Sequence, residues 1–152
     1  MKIGDKTEDF TLKNSEGKDL SLNELTKGGK ALLLFFPVAF SGTCTDEMCT
    51  MRDNMKTYNY MNANVVGISV DSFFTLREFK KSNNLNFPLL SDFNKEVTKS
   101  FGALDNDFYG MKGVAKRSAF IINSDMEVEY AEILEDADNL PDFKAIYNAL
   151  KE

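Results

Sequence analysis

The spacing of apolar and polar positions along the chain predicts strands that alternate with helices. Three continuous apolar runs have the length of strands that are buried on both faces of a sheet; they occupy residues 31–36, 65–70 and 118–122. Residues 126–134 follow the third run across a turn-like Asn-Ser-Asp sequence and are predicted to form its hairpin partner. Helices are predicted over residues 43–60, 72–82 and 94–101, and a last helix is expected to open near Asn139, with Pro141 in its first turn.

This order of elements indicates a layered α/β fold with a mixed central sheet. No repeat, low-complexity tract or linker-like stretch divides the 152 residues, so we expect a single domain over residues 1–152. Reactive groups in such sheets collect at the carboxyl ends of the strands. The segment 37–44 lies between the first predicted strand and the long helix, and it is therefore the first place to look for chemistry.

Composition and charge exclude some classes of function. The chain is 43% hydrophobic and carries a net charge of −6, without the clustered Lys and Arg that binding to nucleic acid requires. The longest apolar run, residues 31–40, is about half of the roughly 20 residues that a membrane span needs. The first residues, Met1 to Asp5, lack the apolar core of a secretory signal. We therefore expect a cytoplasmic protein with neither nucleic acid nor membrane as a partner.

Two cysteines and no histidine restrict the available chemistry. A zinc site built on Cys44 and Cys49 would need two more ligands with no imidazole to supply them, and a Cys-His nucleophile pair is excluded. We expect neither a metal nor a cofactor. Cys44 falls in the first turn of a predicted helix, where unpaired backbone N–H groups and the helix dipole stabilise a thiolate. Position alone is equally compatible with a structural cysteine at a strand–helix junction.

The residues around Cys44 resemble the active-site signature of the peroxiredoxin family. That signature is a proline, three residues, a hydroxyl residue, two residues and a cysteine, and here it is Pro37, Ser41 and Cys44, with serine in place of the family's threonine. The Ala-Pro that usually precedes the family's opening strand is Thr-Glu in this chain. Other segments resemble the family in the same order along the chain: residues 9–12, Glu47, Arg52-Asp53, 67–69, 87–92 (FPLLSD) and 113–120 (GVAKRSAF). The chain is identified on these segments as a member of the AhpC/TSA type of peroxiredoxin.

The resemblance implies a thioredoxin-like fold and a role for each signature residue. Cys44 corresponds to the peroxidatic cysteine, Ser41 to its hydroxyl partner and Pro37 to the residue that shields the sulfur from water. Arg117 corresponds to the cation that favours the thiolate and stabilises charge on the peroxide oxygens, a task suited to a permanently charged planar group. The implied partners are a hydroperoxide, a thioredoxin-like or other thiol reductant and, as an open option, a second copy of the chain.

Two further expectations concern the predicted helix that carries Cys44. Glu47 and Arg52 are expected to form a helix-surface pair that supports the site from outside. Met48, Met51 and Met55 recur at helical spacing and are expected to form a stripe that faces the core.

Cys49 has two interpretations. The Cys-x4-Cys spacing resembles the subgroup related to bacterioferritin comigratory protein, in which the second thiol resolves the sulfenic acid into an intramolecular disulfide. The segment 36–44 instead resembles the one-cysteine branch typified by alkyl hydroperoxide reductase E, and a small buried helix residue remains an alternative for Cys49. In an ideal helix, positions five apart lie about 8.6 Å apart and ~140° around the axis, whereas a disulfide rarely spans more than ~7 Å. A Cys44–Cys49 bond therefore requires the helix to unwind locally.

Two rival functions use the same residues. A thioredoxin-like disulfide reductase typically carries Cys-x-x-Cys, which is absent here. A redox sensor or holdase would use the oxidation of Cys44 as a signal. Steady-state consumption of peroxide with a thiol donor separates the sensor from an enzyme, because a sensor oxidises once and stops.

Overall fold

A mixed sheet of seven strands forms the centre of the molecule, which the computed structural model describes over residues 1–151. In chain order the elements are β1 (Thr11–Asn14), β2 (Asp19–Ser21), α1 (Leu22–Thr26), β3 (Lys30–Phe35), α2 (Gly42–Asp53), α3 (Met55–Tyr60), β4 (Ala63–Ser69), α4 (Phe73–Ser82), β5 (Leu89–Ser91), α5 (Glu96–Ser100), β6 (Leu104–Asp105), β7 (Val114–Ala115), β8 (Ser118–Ile122), β9 (Val128–Ile133) and α6 (Phe143–Lys151). The strand order in the sheet is β2-β1-β5-β4-β3-β8-β9; β3, β4 and β5 run parallel, and the remaining pairs are antiparallel. A separate pair, β6 and β7, is antiparallel.

The predicted α/β class with a mixed sheet is confirmed, and so are its main strands. The three apolar runs form β3, β4 and β8, and the hairpin partner of β8 is β9. Along β3, Leu32 and Leu34 enter one core layer while Leu33 and Phe35 enter the other, and all four are fully buried. Burial on both faces explains why this strand is continuously apolar rather than alternating.

The single helix predicted over residues 43–60 is wrong. The chain forms two helices, α2 and α3, that are separated at Asn54, where φ is −109° and ψ is 6°. The Asn54 side-chain amide donates to the carbonyl of Thr50 (2.8 Å) and so competes with the backbone ladder that would continue the helix. The predicted methionine stripe is confirmed, since Met48, Met51 and Met55 are all buried.

The last helix begins later than predicted. Pro141 is buried but precedes α6, which starts at Phe143. The Asp142 carboxylate accepts from the N–H of Ala145 (3.0 Å), so the helix opens at an acidic cap rather than at the proline. The longest helix within residues 1–151 is α2, with 12 residues, and no helix there is both long and apolar enough to cross a membrane.

Gly67 in β4 sets how closely α2 approaches the sheet. A Cβ atom at Gly67 would lie 2.8 Å from Leu89 Cδ2, 3.0 Å from Met48 Sδ and 3.2 Å from Phe36 Cε1. These distances are shorter than ordinary van der Waals contacts, so only glycine lets Met48 pack at this depth. Because Met48 and Cys44 share α2, the depth of the candidate nucleophile depends on this close contact.

Candidate active site

Two neighbouring strand ends hold the loop that leads from β3 to α2. After β3, the N–H of Phe36 still donates to the carbonyl of Ile68 (2.9 Å), and Pro37 is buried behind it. Asp71, which follows β4, then pins the loop, because its Oδ2 accepts from the N–H of Ala39 (2.8 Å) and from Ser69 Oγ (2.7 Å). Sequence reasoning missed Asp71, although it lies directly after a predicted strand at the sheet edge where functional groups collect.

The loop turns sharply into the helix at Phe40. Its φ of 71° lies in the left-handed region, a conformation that costs a non-glycine residue roughly 1–2 kcal/mol. The ring is 53% exposed and packs edge-on against Phe79 with the centroids 5.2 Å apart. The turn places Ser41 at the N-cap of α2, where its backbone is extended.

Ser41 caps the helix that carries Cys44. Its Oγ accepts from the backbone N–H of Cys44 (3.3 Å), and its carbonyl accepts from the hydroxyl of Thr45 (2.8 Å). Cys44 is therefore the third residue of α2 and lies in its first turn, as predicted. From the family resemblance we expect the Ser41 hydroxyl to donate to the thiolate or to a bound peroxide. In this structure the hydroxyl oxygen accepts from the main chain of Cys44.

Arg117 contacts the sulfur of Cys44 directly. It stands directly before β8, which pairs with β3, and its Nη2 lies 3.3 Å from Cys44 Sγ. Cys44 is 0% exposed and Arg117 1% exposed. The guanidinium also donates through Nε (3.1 Å) and Nη2 (3.0 Å) to the carbonyl of Ala137. Burial opposes the charged form, but the negative charges of Glu47 and Cys44 raise the pKa of Arg117 above its ordinary value, so the guanidinium stays protonated.

The expected surface pair of Glu47 and Arg52 is wrong. Glu47 is fully buried, and its Oε1 accepts from Arg117 Nη1 at 2.6 Å. Its spacing of three from Cys44 puts both side chains on the same face of α2, and that spacing is the signal that could have revealed the contact. Arg52 instead binds the carboxylate of Asp53 (2.9 Å) and the carbonyl of Asn83 (2.6 Å).

The Glu47 carboxyl titrates near neutral pH. Burial raises its pKa to about 7, Arg117 opposes that rise, and the charge of Glu132 adds to it. Its Oε2 has no hydrogen-bond partner among residues 1–151, so only one carboxyl oxygen of Glu47 is engaged by Arg117. When Glu47 is neutral, the Arg117 charge faces the sulfur of Cys44 without competition from a carboxylate.

The structure does not bring Cys49 to Cys44. Both are free thiols within the intact α2, and the half-buried Cys49 points toward α4, with its Sγ 3.7 Å from Asn83 Oδ1. Within the described residues, no group of three or more His, Cys, Asp or Glu side chains is arranged to hold a metal ion. The candidate site is thus a buried thiol at a helix N-terminus beside a fixed guanidinium, which is suited to nucleophilic attack by sulfur.

Comparison with known proteins shows the family of this chain and its relatives. A sequence profile of the AhpC/TSA family matches residues 3–131. Peroxiredoxin Bcp of Escherichia coli is 32% identical over 155 residues, which cover 100% of this chain and 97% of that protein. The crystal structure of peroxidoxin BcpB from Mycobacterium tuberculosis has a TM-score of 0.90 and 31% identity, covering 99% of this chain and 97% of that one. A cysteine-to-serine mutant of PrxQ from Xylella fastidiosa shares the fold, with a TM-score of 0.88, 24% identity and coverage of 99% and 96%.

The match over residues 3–131 and the similarity across the whole chain mean that this protein belongs to the AhpC/TSA family of peroxiredoxins. Its fold is thioredoxin-like, as the resemblance implied. Peroxiredoxins are thiol-dependent peroxidases, so the chain is an enzyme rather than a disulfide reductase of the Cys-x-x-Cys kind.

The titration of Glu47 predicts how stability depends on pH. The pKa of Glu47 in the folded protein is about 7 against an ordinary 4.5, so the folded state holds the proton more tightly than the unfolded chain. This contribution to stability is complete below about pH 4.5 and is lost as the pH rises through about 7. Glu47→Gln keeps an acceptor for Arg117 but cannot titrate. As the pH rises from 4.5 to 8, the free energy of unfolding of the wild type should therefore fall by about 2–3 kcal/mol more than that of the variant.

Urea unfolding followed by circular dichroism across this pH range measures the difference. Glu8→Gln changes an exposed carboxylate and serves as the matched control, which should follow the wild-type curve. Parallel curves for the wild type and Glu47→Gln would show that folding does not raise the pKa of Glu47.

Proposed function

We propose that this peroxiredoxin reduces hydrogen peroxide and organic hydroperoxides through the sulfur of Cys44. The observation that carries the proposal is the 3.3 Å contact between Arg117 Nη2 and Cys44 Sγ in the first turn of α2. A helix N-terminus and a guanidinium both favour the thiolate, which is the form of cysteine that attacks peroxides.

In the first step the Cys44 thiolate attacks the terminal oxygen of the hydroperoxide. An S–O bond forms and the O–O bond breaks; the sulfur is oxidised to a sulfenic acid that keeps the hydroperoxide proton. The leaving oxygen takes a proton from solvent and departs as water or an alcohol. Arg117 donates to the oxygens as negative charge moves onto them, and buried Pro37 keeps water from the sulfur. Ser41 accepts from the backbone of Cys44, which leaves its hydroxyl proton for the bound peroxide.

We assign the resolving role to Cys49. Its thiol would condense with the sulfenic acid of Cys44 to give a disulfide and water. The first turn of α2 must open for this, and the side-chain contacts that hold it are those of Ser41 with Cys44 and Thr45 and that of Arg117 with the Cys44 sulfur. At ~1 kcal/mol net for each hydrogen bond, opening the turn costs only a few kcal/mol.

A one-cysteine cycle is the alternative, and the intact α2 between the two thiols favours it. In that cycle an external thiol would reduce the sulfenic acid directly.

Under either cycle the proposed reductant is a thioredoxin-like or other thiol protein, and the proposed location is the cytoplasm. A homodimer also remains a proposal; the exposed rings of Phe40, Phe74 and Phe93 offer apolar surface to a second copy.

Serine variants of the two cysteines test the assignment. Cys44→Ser should abolish peroxide consumption with a thiol donor, because it removes the nucleophile. Cys49→Ser should still be oxidised once and should stop at a sulfenic acid, whereas the wild type should form an intramolecular disulfide. Peroxide assays and intact mass spectrometry after treatment with peroxide measure both.

Near-normal turnover in Cys44→Ser would overturn the proposal. A wild-type sulfenic acid with Cys49 still free would replace the two-cysteine cycle with the one-cysteine cycle. Consumption of a single equivalent of peroxide in the presence of the thiol donor would identify a sensor.

Substitution of Arg117 tests its proposed contact with the reacting oxygens. Arg117→Met should slow the oxidation of Cys44 by about 100-fold or more, the usual effect of removing one donor to a developing oxyanion. Arg117→Lys keeps the charge but cannot reach Cys44, Glu47 and Ala137 together, so its rate should be intermediate. Rapid-quench mass spectrometry measures the rate, and thermal unfolding checks the fold.

Arg77→Met and Arg77→Lys are the matched controls, because Arg77 is exposed and lies on α4. These variants should react at the wild-type rate. A rate for Arg117→Met equal to theirs would show that Arg117 has been misassigned.

Local unwinding of α2 is tested by hydrogen exchange. The reduced protein should protect amides within residues 43–50, and the oxidised protein should lose that protection. The loss of a few hydrogen bonds of ~1 kcal/mol each should speed exchange by more than about tenfold. Peptides from α4 provide the internal control. Unchanged protection in a protein shown by mass to contain the disulfide would contradict the requirement for unwinding.

A further inference from the structure

The second half of α2 is tied to the end of α4 by side-chain contacts. Arg52 Nη1 donates to the carbonyl of Asn83 (2.6 Å), and Asn86 Nδ2 donates to the carbonyl of Arg52 (3.3 Å). Asn83 is the C-cap of α4, and its own Nδ2 donates to the carbonyl of Phe79 (3.1 Å). These contacts fix the Asn83 side chain, so that its Oδ1 faces α2.

Cys49 contacts this same asparagine. Its Sγ lies 3.7 Å from Asn83 Oδ1, and an amide oxygen can only accept, so the thiol must be the donor. The contact therefore uses the Cys49 sulfur as a donor while α2 is helical. The thiol form is a poor nucleophile, so the sulfur must leave this contact before it can attack.

Arg52 supplies a cation beside the same thiol. It follows Cys49 by three residues, so both side chains lie on one face of α2, and both reach Asn83. The hydrogen bond to Asp53 raises the pKa of Arg52 above its ordinary value, so the guanidinium stays protonated. A cation at this position favours negative charge on the neighbouring sulfur when Cys49 loses its proton.

We propose that Arg52 is a positioning residue for the resolving step, whose guanidinium favours the Cys49 thiolate once unwinding of α2 separates the thiol from Asn83. The proposal rests on the proposed resolving role of Cys49. Arg52 lies outside the segment 43–50 that is expected to unwind. Its contacts with Asn83 and Asn86 hold it beside that segment.

The assisted step joins the sulfurs of Cys49 and Cys44. Cys49 releases its proton to solvent, and the thiolate attacks the sulfur of the Cys44 sulfenic acid. The S–S bond forms as the S–O bond breaks, and the departing hydroxide takes a proton from solvent to give water. The Cys44 sulfur is reduced from the sulfenic state to the disulfide state while Cys49 is oxidised.

Two variants separate the charge of Arg52 from its role in holding the helix. Arg52→Met removes both the charge and the hydrogen bond to Asn83, whereas Arg52→Lys keeps the charge. Rapid-quench mass spectrometry after a peroxide pulse follows the gain of one oxygen at Cys44 and then the loss of water as the disulfide forms, which leaves the protein two hydrogens lighter than its reduced form. Arg52→Met should leave the first rate unchanged and slow the second by about fivefold, the effect of one unit charge at contact distance in a wet site. Arg52→Lys should restore the second rate.

A purely structural role predicts the opposite sign. If Arg52 only held α2 closed, its loss would ease unwinding, and disulfide formation in Arg52→Met would be faster than in the wild type. A faster or unchanged second step would therefore overturn the proposal. Arg77→Met, which removes an exposed arginine elsewhere, is the matched control and should behave as the wild type.

A separate readout does not depend on disulfide formation. In the Cys44→Ser background, Cys49 is the one remaining thiol of the chain, so its alkylation by iodoacetamide in mild denaturant reports its thiolate. Adding Arg52→Met should slow this alkylation, and adding Arg52→Lys should not. If wild-type protein forms no disulfide but the alkylation rates differ as expected, the resolving role of Cys49 fails while the coupling to Arg52 stands. Equal alkylation rates would overturn the coupling itself.

Discussion

The buried ion pair between Arg117 and Glu47 is the constraint on which the site depends. It joins the start of β8 to the middle of α2 across the core, with 1% and 0% of the two side chains exposed. A buried charge without its partner costs several kcal/mol, so neither residue can be removed without a large penalty. Glu47 holds one arm of the guanidinium and the Ala137 carbonyl holds others, which fixes the remaining N–H near Cys44 Sγ. The position of the cation is therefore determined by contacts that do not include the substrate.

The same helix must meet two opposing requirements. Attack on a peroxide needs a rigid first turn, whereas a bond from Cys44 to Cys49 needs that turn to open. The contacts of the first turn of α2 differ from those of its second half, and this difference is compatible with both requirements. Ser41 caps the first turn and Arg117 contacts Cys44 and Glu47, whereas the second half is tied to α4 through Arg52 and Asn83. Opening of the first turn therefore moves Cys44 away from Arg117 while the second half stays in place.

Sequence patterns predicted features that depend on local periodicity or on a matched signature. The strands β3, β4 and β8 followed from continuous apolar runs, and Cys44 lies in the first turn of its helix as its position after a strand suggested. Glu47 was misplaced because a glutamate beside an arginine in a helix usually faces water, and only the fold shows a second arginine on the buried side. The break at Asn54 depends on a side chain that competes with the backbone, which apolar spacing does not detect.

Features that need two distant segments were beyond the sequence. Asp71 holds the loop at Ala39 across 32 positions, and no spacing rule links the two. The contact of Cys49 with Asn83 likewise joins residues from separate helices. In both cases the residue types are ordinary, and only the order of strands in the sheet makes them neighbours.

The close contact at Gly67 has a consequence for how this sequence can change over evolutionary time. Gly67 touches no reacting atom, yet any side chain there would force the side-chain ends of Met48 and Leu89 to move. Met48 lies one turn after Cys44 on α2, so repacking at Met48 would disturb the helix that holds the sulfur beside Arg117. Selection for catalysis should therefore conserve a glycine in the middle of a buried strand, where packing alone would favour valine or isoleucine. Which residues are tolerated at position 67 is therefore set by the reaction at Cys44 on α2.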